Sequence, residues 1–176
     1  TGAILARHFL EQGATRIQFV MSKTAEDFRA RQRAQGYADA MTSAGLITDI
    51  QVVPEDDEFE AGAIGIEALS RLPEHSRPQA LIFANDNMAA GAILHAPSCK
   101  LVLPRDCAIA GFGDAPICAR LRPALTTLRP ARYQIGQHAA RTVLKQLTAG
   151  PGGEQNIIED LLPCDLIIRE SSQLHL

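Results

Sequence analysis

Two short apolar runs that end in polar residues constrain the fold of this chain more than any other feature. Residues 81–87 pass from Leu-Ile-Phe-Ala into Asn-Asp-Asn, and residues 108–114 pass from Ala-Ile-Ala into Gly-Phe-Gly-Asp. Each run has the length of a buried strand. In open α/β sheets, ligands bind beyond the carboxyl ends of the strands, where such polar residues would collect. The pattern therefore predicts a sheet with a ligand site along that edge.

Helical and extended patterns alternate along the rest of the chain. Helices are predicted at 2–12, 25–44, 58–72, 88–95 and 133–147, and strands at 16–21, 49–53, 80–84 and 107–112, with a short extended crossing at 126–128 and extended segments at 157–162 and 165–169. Phe28, Tyr37, Ala40 and Met41 are the expected buried face of the second helix. This alternation predicts a mostly parallel sheet flanked by helices.

The composition limits the class of protein. The 176 residues suffice for one domain or for two small lobes. No leader-like segment opens the chain, and no apolar stretch reaches the roughly 20 residues of a membrane span, so a cytoplasmic location is expected. The net charge of −3 disfavours a surface that binds nucleic acid by neutralising phosphates.

Motifs of catalysis and of metal binding are missing from the sequence. Cys99, Cys107, Cys118 and Cys164 form no C-x-x-C pair, and the five histidines have no ligand spacing, so reduced, structural thiols are expected. Neither a phosphate-binding P-loop nor a nucleophile elbow occurs, and Pro116 occupies the third glycine position of a dinucleotide fingerprint. We therefore expect a protein without enzymatic activity, cofactor or metal.

Six segments, in order, resemble the effector-binding domains of LacI/GalR-type transcription regulators, and the Gly-Phe-Gly-Asp variant resembles the gluconate-operon regulators among them. The segments are residues 6–21, R-x-R-x-x-G-Y at 31–37, A-N-D-x-M-A-x-G at 84–91, the run from Leu-Pro to Gly-Phe-Gly-Asp at 103–114, P-x-L-T-T-L-R at 123–129 with G-x-x-A at 136–139, and the run from Leu-Pro to Glu-Ser at 162–171.

The resemblance implies a periplasmic-binding-protein-like fold of two α/β lobes with a small molecule between them. It places residues 1–22 and 123–150 in an incomplete N-terminal lobe and residues 23–122 and 151–176 in the C-terminal lobe. The early strand at 17–20 has few partners nearby in sequence, which fits missing units of the N-terminal lobe. The helix-turn-helix that reads DNA would lie upstream.

Several residues are candidate ligand contacts. Arg33 offers fork-shaped donors for hydroxyls or a carboxylate, although an ion pair with Asp27 or Glu26 is the alternative. Phe28 is a further candidate on the same helix. Asn85 can donate and accept, and it could instead cap the following helix, a role that Asp86 could also fill.

Residues 113 and 114 depart from the common form of the family. Sugar-binding relatives carry an acid at the position of Gly113, and its loss beside a retained arginine would suit an anionic ligand such as a sugar acid or sugar phosphate. Gly113 and Asp114 remain candidate ligand contacts, and Asp114 could alternatively fix the hinge or a turn.

The resemblance also implies a two-fold dimer. The expected interface residues are Met88, Ile93, Leu94, Ile117 and Cys118. The helix around Met88 would at the same time pack onto the sheet.

Two functions follow from the sequence. The first is a sugar- or sugar-acid-sensing domain of a cytoplasmic, dimeric regulator, whose ligand alters the DNA affinity of the whole protein. The second is an extracytoplasmic sugar-binding protein of a transporter, which shares the fold.

Overall fold

Six strands form one sheet in the computed structural model, which describes residues 1–23, 27–148 and 161–174. The strands are β1 (Ile17–Ser22), β2 (Asp49–Val53), β3 (Ala80–Phe83), β4 (Ala108–Phe112), β5 (Thr126–Pro130) and β6 (Cys164–Ile167). Their order is β2-β1-β3-β4-β5-β6. The first five are mutually parallel, and β6 runs antiparallel to β5 at the edge.

Five α-helices connect and flank these strands. They are α1 (Gly2–Glu11), α2 (Phe28–Ser43), α3 (Glu58–Ser70), α4 (Asp86–His95) and α5 (Arg132–Thr148). Short 3-10 turns occupy Glu74–Ser76, Ala96–Cys99, Pro116–Ala119 and Glu170–Ser172. No helix in the described ranges is long and apolar enough to cross a membrane.

Helices cover both faces of the sheet. Phe19 of β1 contacts Tyr37 of α2, with ring centroids 5.6 Å apart. The next residue, Val20, lies against Gly65 of α3. Since successive side chains of a strand point to opposite faces, α2 and α3 lie on opposite sides. Helix α1 packs beside α2, and α4 packs beside α3. The predicted α/β class is confirmed.

Tyr37 links the second helix to two strands. Its side chain is fully buried, and its hydroxyl donates to the carbonyl of Ile17 at 2.6 Å and accepts from the backbone N–H of Asp49 at 3.2 Å. Met41 is also buried, as expected. Phe28 was also expected to be buried, but it lies at the first turn of α2 and 60% of its surface is exposed.

Strand β1 lies inside the sheet, which corrects the expectation that it lacks partners. It pairs with β2 on one side and β3 on the other, and β5 pairs with β4. The boundaries expected at residues 22 and 123 therefore do not coincide with a change of sheet. The extended segment expected at 157–162 falls mostly outside the described residues.

Helix α5 differs from the other four. None of its residues is buried, whereas each of α1 to α4 buries at least four residues. Its apolar residues are open to solvent, among them Tyr133 with 78% and Leu147 with 73% of their surfaces exposed. The sheet therefore leaves α5 uncovered.

Candidate functional site

A cleft of about 1010 Å³ lies beyond the carboxyl ends of the parallel strands. The segments after β1, β3 and β5 and the end of β4 supply most of its wall. The lining residues are Thr1, Asp27, Phe28, Arg29, Gln32, Arg33, Glu58, Asn85, Phe112, Gly113, Pro130, Arg132 and Ile135. Four of the five candidate ligand contacts, Phe28, Arg33, Asn85 and Gly113, are thus brought together at the expected edge of the sheet.

Arg33 lies deep in the wall of this cleft. Its side chain is only 12% exposed, and its guanidinium carbon is 4.4 Å from the centroid of the Phe112 ring. The ion pair with Asp27 is long, with Nη2 and Oδ2 4.0 Å apart. Its Nε is buried and has no hydrogen-bond partner among the described residues. Burial lowers the pKa of Arg33, since desolvation disfavours the charged form.

Asn85 is the N-terminal cap of α4. Its Oδ1 accepts from the backbone N–H of Met88 at 3.0 Å, and its Nδ2 donates to Oε1 of Glu58 at 2.7 Å. The other oxygen of Glu58 accepts from Asn87 at 2.7 Å. Asn85 therefore caps the helix and also lines the cleft, and a direct contact between Asn85 and a ligand stays a prediction.

Asp86 does not cap α4, because it is the first residue of the helix and is buried. Its carboxylate accepts from the Thr127 hydroxyl at 2.6 Å and from the backbone N–H of Ala115 at 2.7 Å. These bonds tie the start of α4 to β5 and to the turn after β4. This structural role leaves capping to Asn85.

Gly113 and Asp114 lie in different surroundings. Gly113 has a φ of 135°, lines the cleft, and accepts a hydrogen bond at its carbonyl from Arg132. Asp114 is outside the set of cleft-lining residues. Its carboxylate accepts from Arg129 at 2.6 Å and from Arg169 at 2.8 Å.

The two arginines also determine the charge state of Asp114. Burial alone would raise the pKa of this carboxyl, but the hydrogen bonds from Arg169 and Arg129 outweigh burial and lower it. The positive φ and the two ion pairs correspond to the turn alternative, whereas a hinge role of Asp114 and a direct contact with ligand stay predictions.

Beyond Asp27, three charged residues of the cleft were not anticipated from the sequence. Arg29 lies at the start of α2, Arg132 opens α5, and Glu58 opens α3 beside the cap residue Asp57. Glu58 belongs to an acidic run at 55–60 that is typical of a helix start, and Asp57 caps this helix by accepting from the backbone N–H of Glu60. Arg29 precedes the motif that singled out Arg33, and nothing in its local sequence marks Arg132.

The expected dimer residues lie at different depths. Met88, Ile93 and Cys118 are 1%, 3% and 0% exposed, so they belong to the core of the chain and offer almost no surface to a partner. Burial also raises the pKa of Cys118 to about 12. Leu94 is 62% exposed and Ile117 is half-buried, so these two remain available to a second copy.

A family profile matches most of the chain. Residues 6–172 match the family described as periplasmic binding protein-like domain.

Within the part of the chain that the structure describes, no three histidine, cysteine, aspartate or glutamate side chains lie close enough together to hold a metal ion.

Curated relatives are transcription repressors. The chain is 33% identical over 175 residues to the HTH-type transcriptional repressor CytR of Escherichia coli (strain K12), which covers 98% of this chain and 50% of the relative. It is 32% identical over 152 residues to the ribose operon repressor of the same organism, covering 84% of this chain and 44% of the relative. The chain thus spans about half the length of the curated relatives it matches.

A solved structure of a regulatory protein of the LacI family from Chloroflexus aggregans has the same fold. It superposes with a TM-score of 0.81 at 34% identity and covers 99% of this chain and 61% of the other. The profile, the relatives and this structure confirm the resemblance to effector-binding domains of LacI-type regulators.

Proposed function

Because the chain belongs to the periplasmic binding protein-like family, we propose that it is the effector-sensing part of a LacI-type transcription regulator. The observation that carries the proposal is the cleft beyond the strand ends, where Arg33, Asn85 and Phe112 converge. Guanidinium and amide groups beside an aromatic ring suit a polyhydroxylated small molecule, because such a ligand offers both hydroxyls and apolar ring faces. The ligand class is a sugar, a sugar acid or a sugar phosphate.

A second lobe would complete the cleft. Helix α5 exposes Tyr133, Val143, Leu144 and Leu147 on a surface that the sheet does not cover. An amphipathic helix of 17 residues without a buried side chain needs a partner surface to be stable. We place the change of lobe after β5, so that α5 packs against the N-terminal lobe of the whole protein, while β6 belongs to the present sheet.

Sensing would follow from differential affinity. A ligand that contacts both α2 and the start of α5 binds one arrangement of the two lobes better and shifts the protein toward it. The shift reaches DNA only through a helix-turn-helix domain of the whole protein, which acts in the cytoplasm as a homodimer. Leu94 and Ile117 are the exposed members of the proposed dimer surface.

A thermal-shift screen of the complete protein tests this proposal. Neutral sugars, sugar acids and sugar phosphates are the probes, and a ligand at a hundredfold excess over its dissociation constant stabilises the folded state by about 2.7 kcal/mol. We expect one probe to raise the unfolding temperature in the natural protein and to lose that effect in Arg33→Ala. If no probe raises the unfolding temperature of the natural protein, the sensing role is contradicted.

Selection of DNA from a random duplex pool separates the two functions. A transcription regulator should retain duplexes of specific sequence from the pool, and the ligand should change the amount of DNA that is retained. A protein that binds the ligand but retains no duplex, with or without it, would be the solute-binding component of a transporter instead.

A further inference from the structure

We infer that the ligand of this cleft carries a carboxylate or phosphate group, and that Arg33 and Arg132 hold it from the two sides of the cleft. The inference rests on the proposed function and narrows it from sugars in general to anionic ones. It also assigns a specificity role to Arg132, the first residue of α5.

The charges that line the cleft favour an anion. Arg29, Arg33 and Arg132 supply three positive charges, and Asp27 and Glu58 supply two negative ones. Both carboxylates already have partners. Asp27 caps α2 through the backbone N–H of Ala30 at 2.9 Å, and both oxygens of Glu58 accept side-chain amides. The arginines are therefore the groups with free binding capacity.

The guanidinium of Arg33 is incompletely partnered within this chain. Its buried Nε lacks a hydrogen-bond partner among the described residues, and the Asp27 oxygen stands 4.0 Å from Nη2. A buried donor without a partner costs free energy, and the cost is larger when the group is charged. A carboxylate or phosphate in the cleft that Arg33 lines would compensate the charge of its guanidinium through a charge-assisted hydrogen bond.

Nearby charges act on Arg33 in both directions. Burial is the largest cause and lowers the pKa of Arg33; Asp27 and Glu58 raise it, and Arg29 lowers it. An anion placed between the two arginines would relieve their repulsion.

Arg132 supplies the second positive group. Its guanidinium donates to the Gly113 carbonyl and forms no ion pair with any residue that the structure describes. A β-carbon at position 113 would lie 3.5 Å from Nη2 of Arg132, so an acidic side chain there would neutralise this arginine. The φ of 135° at Gly113 disfavours any such side chain. The glycine thus leaves the charge of Arg132 without a carboxylate partner at position 113.

Isothermal titration of the complete protein with matched pairs of probes tests the inference. The pairs are D-gluconate with D-glucose, D-glucose 6-phosphate with D-glucose, and D-ribose 5-phosphate with D-ribose. We expect at least one anionic probe to bind about tenfold or more tightly than its neutral twin, which corresponds to one ion-paired hydrogen bond. The pair that shows the difference identifies carboxylate or phosphate as the recognised group.

Variants and salt then assign the effect to the arginines. Arg132→Gln should weaken the anionic probe about tenfold and change its neutral twin less than about threefold. Arg141→Gln, an exposed arginine on the same helix, is the matched control and should change neither. Added salt should weaken the anionic probe selectively, since it screens exposed charges.

The outcomes separate this inference from the proposed function. A neutral sugar that binds as tightly as its anionic twin, with no effect of Arg132→Gln, would overturn the inference and leave the sensing role standing. Binding of none of these sugars, acids or phosphates would count against both. Equal loss for both twins in Arg132→Gln would show that the arginine positions the ligand without selecting its charge.

Discussion

The backbone of Gly62 on α3 passes so close to the Met88 carbonyl on α4 that a β-carbon at position 62 would overlap the oxygen. Gly91 on α4 meets the Phe59 carbonyl on α3 in the same way. The two helices are therefore in backbone contact, and α4, whose cap Asn85 lines the cleft, is fixed by that contact.

Gly62→Ala should destabilise the fold by about 1–3 kcal/mol or more, because one methyl group would have to push the two helices apart. Urea unfolding followed by circular dichroism measures the change. Gly136→Ala is the matched control: nothing lies within 4 Å of its β-carbon position, so it should stabilise the chain by about 0.5–1 kcal/mol. An unchanged free energy of unfolding in Gly62→Ala would contradict the backbone contact between α3 and α4.

Asp114→Asn should lower the free energy of unfolding by about 1–3 kcal/mol, since it removes the charge that Arg129 and Arg169 share. The backbone should not change, because asparagine tolerates the φ of 53° found here. Asp165→Asn, at an exposed position on β6, should stay within about 0.5 kcal/mol of the natural chain. Chemical denaturation compares them, and equal effects of the two would contradict the described ion pairs.

Stability should fall as the pH is lowered below the ordinary histidine pKa of 6.5, because of His8. Burial lowers the pKa of His8 in the folded chain, and Glu11 opposes this only in part. The unfolded chain then binds a proton that the folded chain does not, so stability is present above pH 6.5 and is lost as pH falls through the folded-state value.

The His8 ring also links α1 to the C-terminal segment, since its Nε2 lies 2.9 Å from the Ser172 hydroxyl and 3.1 Å from the Gln12 amide. His8→Gln should flatten the loss of stability between about pH 7 and about pH 5.5, and the exposed His75→Gln should not. The midpoints of urea unfolding, measured across this pH range, test the prediction. If the pH dependence of the midpoint is the same in His8→Gln as in the natural chain, His8 is not the source of the pH dependence.

The four thiols should react at two rates. Cys107 and Cys118 are fully buried, and burial raises the pKa of each, so neither forms the thiolate readily. Cys99 and Cys164 are partly exposed. Titration with a disulfide reagent should modify two thiols in the folded chain and four after denaturation, and rapid modification of all four in the folded chain would contradict the described core.

The sequence predicted the positions of the helices and strands more accurately than the pairing of the strands. Helix and strand positions follow from local periodicity and from breakers such as Gly13, Gly45 and Pro73, so most of them were correct within a few residues. Pairing of β1 with β3 joins residues about sixty positions apart, and no local pattern encodes it. For that reason β1 was wrongly expected to lack partners.

The site shows the same division between local and distant information. Arg33 and Asn85 belong to local motifs and were found. Asp86 and Asn85 can both cap a helix, and the choice depends on Thr127, which lies 41 residues further along the chain. Helix α4 is buried nearly all round, so its periodicity could not separate surface from core, and Met88 and Ile93 were wrongly assigned to an interface.

The absence of buried side chains on α5 also bears on how such proteins diverge. A substitution on this helix removes no contact from the core of the sheet, so the sheet can tolerate changes there that would unfold the chain elsewhere. Since Arg132 stands in the first turn of the helix, the ligand preference proposed for it can change during evolution without loss of contacts in the core of this sheet. A new specificity could therefore arise from α5 alone.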